Sequence, residues 1–151
     1  MSGPPMKLMI DPNAKPVANF RTIPVPIHYE ADVKADLDMD VRLKKIRKVP
    51  PNTPVKWCHS MVVTAKKDNK PRRTVDFQAL NKHASREVHQ TPSPFHMARS
   101  VPHNMKKSTL DCWHGYHSVR LLECDYEYTT FKTQWGLYPG VQKTQLCLPP
   151  F

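Results

Sequence analysis

Apolar residues recur every four positions along residues 28–46: Tyr29, Val33, Leu37 and Val41, with Leu43 and Ile46 extending the stripe. That recurrence puts the side chains on one face of a helix. The charges are ordered as well. Glu30, Asp32 and Asp36 come early, and Arg42, Lys44 and Lys45 come late, which complements the helix dipole at both ends. Pro50, Pro51 and Pro54 stop the helix and make a connector. The pattern then changes to a β-hairpin over residues 60–77. One arm is Met61 to Lys66, the other Arg72 to Phe77, around Lys67-Asp68-Asn69-Lys70-Pro71. Asp and Asn suit the turn, and Asn enters the left-handed region more readily than most residues. Weaker signals predict helical turns at 78–83 and 93–100. A short strand is expected at 108–111, with a turn or short helix at 112–118. Two short strands are expected within 129–138. Pro16, Pro24 and Pro26 make residues 1–27 an extended segment, and from Tyr138 no period persists. There is no internal repeat.

Composition tempers this picture. The 151 residues contain 16 prolines but 4 glycines, 39% hydrophobic residues and a mean hydropathy of −0.60. Short elements, extended connections and a modest core follow. The net charge is +10 and the pI about 9.6. Such a balance favours a polyanionic partner, nucleic acid being the commonest, although a basic surface can also be only that. Lys66, Lys67, Lys70, Arg72 and Arg73 gather at the hairpin tip. The four cysteines, Cys58, Cys112, Cys124 and Cys147, form no CxxC pair, and no apolar run has the length of a signal peptide or a membrane span. Free thiols in a reduced, intracellular protein are the expectation. Cys112, His114 and His117 lie close together but lack the paired spacing of a zinc site.

Two segments carry a resemblance. Met61–Lys82, MVVTAKKDNKPRRTVDFQALNK, resembles the fingers hairpin of reverse transcriptases: an apolar strand, a KKDG-like turn, an arginine, then VDFxxLN. Ser108–Leu121, STLDCWHGYHSVRL, resembles the palm-entry motif LDxxxGYHxIxL of the same family and continues into Thr129-Thr130-Phe131 and Trp135-Gly136. The two blocks stand in the family's order and at a fitting distance. TPSPF at 91–95 and PVPIHYEADV from Pro24 are similar to gypsy-type LTR retrotransposons. The similarity spans roughly residues 16–137.

The resemblance implies an α+β chain, the fingers and partial palm of a reverse transcriptase fold, incomplete. It divides the chain into an extended stretch (1–27), a reverse-transcriptase-like body (28–137) and a divergent tail (138–151). It implies an RNA-directed DNA polymerase with template-primer RNA/DNA and dNTP as partners and Mg²⁺ as cofactor. Such enzymes join nucleotides by in-line phosphoryl transfer, with two metal ions held by carboxylates. Asp111 matches the first metal-binding aspartate. Tyr116 matches the ring beneath the incoming sugar, which excludes a 2′-hydroxyl. His114 and Gly115 would offer backbone N–H groups to the triphosphate. Lys66 and Arg72 match the hairpin cations that grip it, lysine as a point charge and arginine as a planar fork. The turn is one residue shorter than in some relatives, which bears on Lys66. Alternatives stay open at each place: Asp111 as a strand-end acid, Tyr116 as core, the hairpin charges as a solvated turn. Phe77 and Leu80 read as core and Trp57 as a buried anchor. Asp76 and Asn81 read equally as template contacts or as supports of the hairpin. The family's remaining carboxylates lie in a YxDD motif, which these residues lack, and after Trp135-Gly136 only Pro139-Gly140 echoes its PxG turn. The expectation is a truncated reverse transcriptase that is not catalytic alone. The rival is a non-enzymatic remnant that binds nucleic acid through its hairpin, or a non-functional product.

Overall fold

A computed structural model describes residues 3–85, 92–106, 108 and 119–141. The stripe of apolar residues forms α1, Glu30–Arg42, entered through a 3-10 turn at Ile27–Tyr29. Val33 and Leu37 are fully buried, and Tyr29 nearly so. The helix is shorter than its pattern. Lys44 turns left-handed at φ 56. The Lys45 N–H then reaches back to Asp40 O, and the Lys44 N–H to Val41 O. These two reversed bonds are the Schellman closure of a helix. Leu43 is thereby thrown outward, 53% exposed, against its expected place in the stripe. Ile46 is buried, but beyond the helix, in a bridge to Gly140.

The hairpin forms as expected. β1, His59–Ala65, pairs antiparallel with β2, Pro71–Asp76, from Ser60↔Asp76 to Ala65↔Pro71. β3, Phe131–Thr133, lies parallel to β1 on its other side, and β4, Gly136–Tyr138, completes the order β2-β1-β3-β4. Gly136, at φ 134, closes the two-residue turn between β3 and β4 in a conformation other residues rarely adopt. The expected helical turns appear as α2, Gln78–Asn81, and α3, Pro94–Ser100. A seven-residue 3-10 helix, Glu123–Thr129, precedes β3.

Side chains alternate across a strand, so one face of the sheet holds His59, Met61, Val75 and Phe77. That face packs against α1. The core joins Val33 and Leu37 to Met61, Val75, Phe77, Leu80, Trp57, Phe131 and Tyr138. Phe77 and Leu80 are core as expected, and Trp57, 3% exposed, is a buried anchor. The Pro-rich start is extended but attached. Met6 bridges Leu121, Ile10 bridges Ala84 and Ala18 bridges Cys58. Residues 138–141, placed with the divergent tail by their pattern, are integrated through the main chain. The Arg47 N–H donates to Pro139 O, and the Leu121 N–H to Val141 O. Cys58, which is buried, and Cys124, which is exposed, are free thiols.

Candidate nucleic-acid and nucleotide interface

The hairpin tip is built from its main chain. The Lys66 N–H donates to Lys70 O at 2.8 Å, and the Asn69 N–H to Lys66 O at 3.0 Å. Asn69 sits at φ 57, the left-handed residue that a three-residue hairpin loop demands after its tight turn. The side chain of Asn69 does a second job. Its Oδ1 accepts the Tyr29 hydroxyl at 2.9 Å, which ties the tip to the entrance of α1. Sequence reasoning assigned Tyr29 to the helical stripe and missed this anchor.

The basic cluster divides by strand parity. Arg73 shares a face with Val75 and Met61, the α1 side. Its guanidinium donates to Asp40 Oδ2 at 2.5 Å and lies 3.8 Å from Asp36 Oδ2. Lys45 Nζ lies 3.5 Å from Asp40 Oδ1. Arg73 is therefore a structural cation, not part of an open basic tip, and this corrects the five-residue cluster expected from sequence. The signal was available: Arg73 stands two residues from Val75 in a strand. Arg72 points to the other face beside its register partner Thr64. Lys66 and Lys70, opposed at the loop neck, continue that parity. All three are exposed. Among the described residues none of them has an ion-pair partner.

Asp76 Oδ1 accepts the Gln78 N–H at 3.0 Å and so shapes the turn into α2. That supports the structural side of its two readings. His59 lies on the core face, edge-on to Phe77 and stacked near Trp57. Its Nε2 is 2.9 Å from Tyr128 O, so this nitrogen carries the donating proton. Burial pushes its pKa down, and the bond to the Tyr128 carbonyl and the charge of Asp76 pull part of the way back. Burial likewise raises the Cys58 thiol, against a smaller lowering by Lys132.

Asp111, His114, Gly115 and Tyr116 lie outside the described residues, as do Cys112 and His117. The donor set can still be judged by its chemistry. Within these 151 residues Asp111 is the one matched carboxylate, and no YxDD motif follows it. One carboxylate does not make the cage that two Mg²⁺ ions require. A cleft of about 550 Å³ lies elsewhere, between Val49, Pro54 and Val55 on one side and Tyr126 and Pro139 on the other. No described site residue lines it.

With this geometry the chain can be set beside solved structures. It superposes on prototype foamy virus protease-reverse transcriptase (CSH mutant) with a TM-score of 0.80 and 16% identity, over 95% of this chain and 19% of that one. The chain has a reverse-transcriptase-like fold. The foamy viral enzyme in complex with dsDNA gives a TM-score of 0.78 at 16% identity, over 95% of this chain and 29% of that one. Its complex with an RNA/DNA hybrid gives 0.80 at 16% identity, over 95% and 19%. The chain thus spans between a fifth and three tenths of the proteins it resembles. No family model and no curated protein sequence matches it.

Proposed function

We propose that this chain is the template- and nucleotide-facing part of a retroelement reverse transcriptase of the gypsy type, its fingers and palm entry. The observation that carries the reading is the division of the hairpin. Arg73 is consumed by α1, while Lys66, Lys70 and Arg72 are exposed on the opposite face and have no ion-pair partner among the described residues. Exposed cations without a salt bridge suit phosphate. The fold match to enzymes solved with dsDNA and with an RNA/DNA hybrid supports the same partner class. With the rest of a palm in place, Lys66 and Arg72 would grip the triphosphate, Asp111 would be one of the metal ligands, His114 and Gly115 would offer N–H groups to phosphate, and Tyr116 would sense the sugar. Phosphoryl transfer depends on further carboxylates supplied by a YxDD segment, so these residues alone bind without reacting. The second reading, a binder without chemistry, rests on the exposed hairpin cations alone.

Two measurements separate the readings. In the 151-residue chain, Arg72→Ala should weaken oligonucleotide binding and flatten the slope of log K against log salt by about 0.7. Its stability should stay within about 0.5 kcal/mol of the parent. Arg73→Ala should instead destabilise the fold by about 1–3 kcal/mol, because it leaves the largely buried Asp40 with Lys45 as its remaining partner. Equal effects of the two on binding would defeat the assignment. Fused to a palm carrying YxDD, the chain should extend a primer with Mg²⁺, and Asp111→Asn should abolish extension. Binding with no extension in the fusion would select the second reading.

A further inference from the structure

We propose that Phe20 and Lys132 extend the basic sheet face into a stacking platform for single-stranded nucleic acid. The inference rests on the functional reading above and deepens it by naming the strand form that is bound. Lys132 on β3 is the register partner of Ser60 on β1. Ser60 shares strand parity with Thr64, the partner of Arg72. Lys132 therefore emerges on the same side of the sheet as Arg72, away from α1.

Two contacts bring residues 20 and 21 over that side. The Lys132 ammonium sits 5.8 Å from the centre of the Phe20 ring, and the Ser60 hydroxyl donates to Arg21 O at 3.5 Å. The backbone leading to Phe20 is fixed. The Asn19 N–H donates to Cys58 O at 2.8 Å, and the Cys58 N–H to Val17 O at 3.1 Å. Asn19 Oδ1 accepts the Arg21 N–H at 3.0 Å. Phe20 is thus an aromatic ring on an anchored chain, 49% exposed, with a cation beside it. Its position is prepared, yet its apolar surface is left in water.

From the Ser60–Lys132 row to the Thr64–Arg72 row is four residues along β1, about 13 Å. That span equals about four nucleotides at the stacked spacing of one strand. Asp76, opposite Ser60, is an acid on this face, and its carboxylate is engaged by the Gln78 N–H. A ring with cations along one line suits a strand whose bases are unpaired, because stacking needs an open base face and phosphate needs charge. A duplex offers phosphate alone.

The test is fluorescence anisotropy with a labelled oligothymidylate and with a duplex of matched length, using the 151-residue chain. Phe20→Ala should weaken single-strand binding by roughly five- to a hundred-fold with an unchanged salt slope, and leave duplex binding within about twofold. Phe20→Trp should restore or tighten it. Lys132→Gln should reduce the salt slope by about 0.7. Single-strand binding by Phe20→Ala within twofold of the parent, with an unchanged circular dichroism spectrum, overturns the proposal. Equal loss on the duplex overturns it too. If Arg72→Ala loses affinity while Phe20→Ala does not, the platform fails and the functional reading stands. If the parent chain shows no salt-dependent binding to either probe, both fail.

Discussion

His59 donates a proton from Nε2 to Tyr128 O while its ring is buried against Trp57 and Phe77. Desolvation is the largest influence on it and lowers its pKa below the ordinary 6.5. The unfolded chain therefore takes up this proton first as pH falls. The histidine's contribution to stability is complete above about 6.5 and is lost as pH drops through that value toward the folded pKa. Urea unfolding at a series of pH values should show stability declining over that window. His59→Gln, whose amide can still donate to Tyr128, should show a shallower decline. An identical decline in the variant would assign the effect to other histidines. The arginines illustrate what one residue's surroundings reveal. The alternation Arg73, Val75, Phe77 already marks the core side in the sequence. That acids of α1 would meet Arg73 depends on a helix docked about thirty residues earlier, which no local pattern encodes.

At the scale of elements, hydrophobic recurrence located α1 and the hairpin because each buries one face. It overshot the end of the helix because that end is a backbone event. The Schellman closure bends at Lys44, φ 56, where glycine would be the sequence signal and lysine gives none. An L-residue held there costs about 1 kcal/mol. Lys44→Gly should recover about that much, read as a rise in the thermal midpoint, with the α1–Arg73 ion pairs retained. A fall would mean that the Lys44 side chain contributes more than its conformation costs. The hairpin loop, in contrast, was legible down to the residue. Asn69 is a type that enters the left-handed region, and it is the one found there. Lys132 and Phe20 left no such trace, since their contact joins positions more than a hundred residues apart.

Across the whole molecule, the segment that its prolines mark as extended laces the fold together. The Met6 N–H donates to Arg120 O, and Met6 O accepts the Leu122 N–H. The Leu8 N–H donates to Asp125 Oδ2 at 2.6 Å, and Asp125 is 4% exposed. The Ser85 N–H donates to Met9 O. These are almost entirely main-chain bonds, so the side-chain pattern is silent about them. They join residues 6–9 to the chain on either side of the Asp111 segment, at Ser85 and at 120–125. Removing residues 1–10 would strand four polar groups of the body. Water can enter the vacated edge, so each loss approaches the net value of a hydrogen bond, about 0.5–1.5 kcal/mol, and the sum should be about 2–6 kcal/mol. Chemical denaturation of the shortened chain should show that deficit in the midpoint at a nearly constant slope. Because residues 17–19 are held independently by Cys58, Phe20 keeps its place. Oligonucleotide binding by the folded fraction should therefore persist at low denaturant. A shortened chain with the parent's stability would show that the strap lies on the body without supporting it.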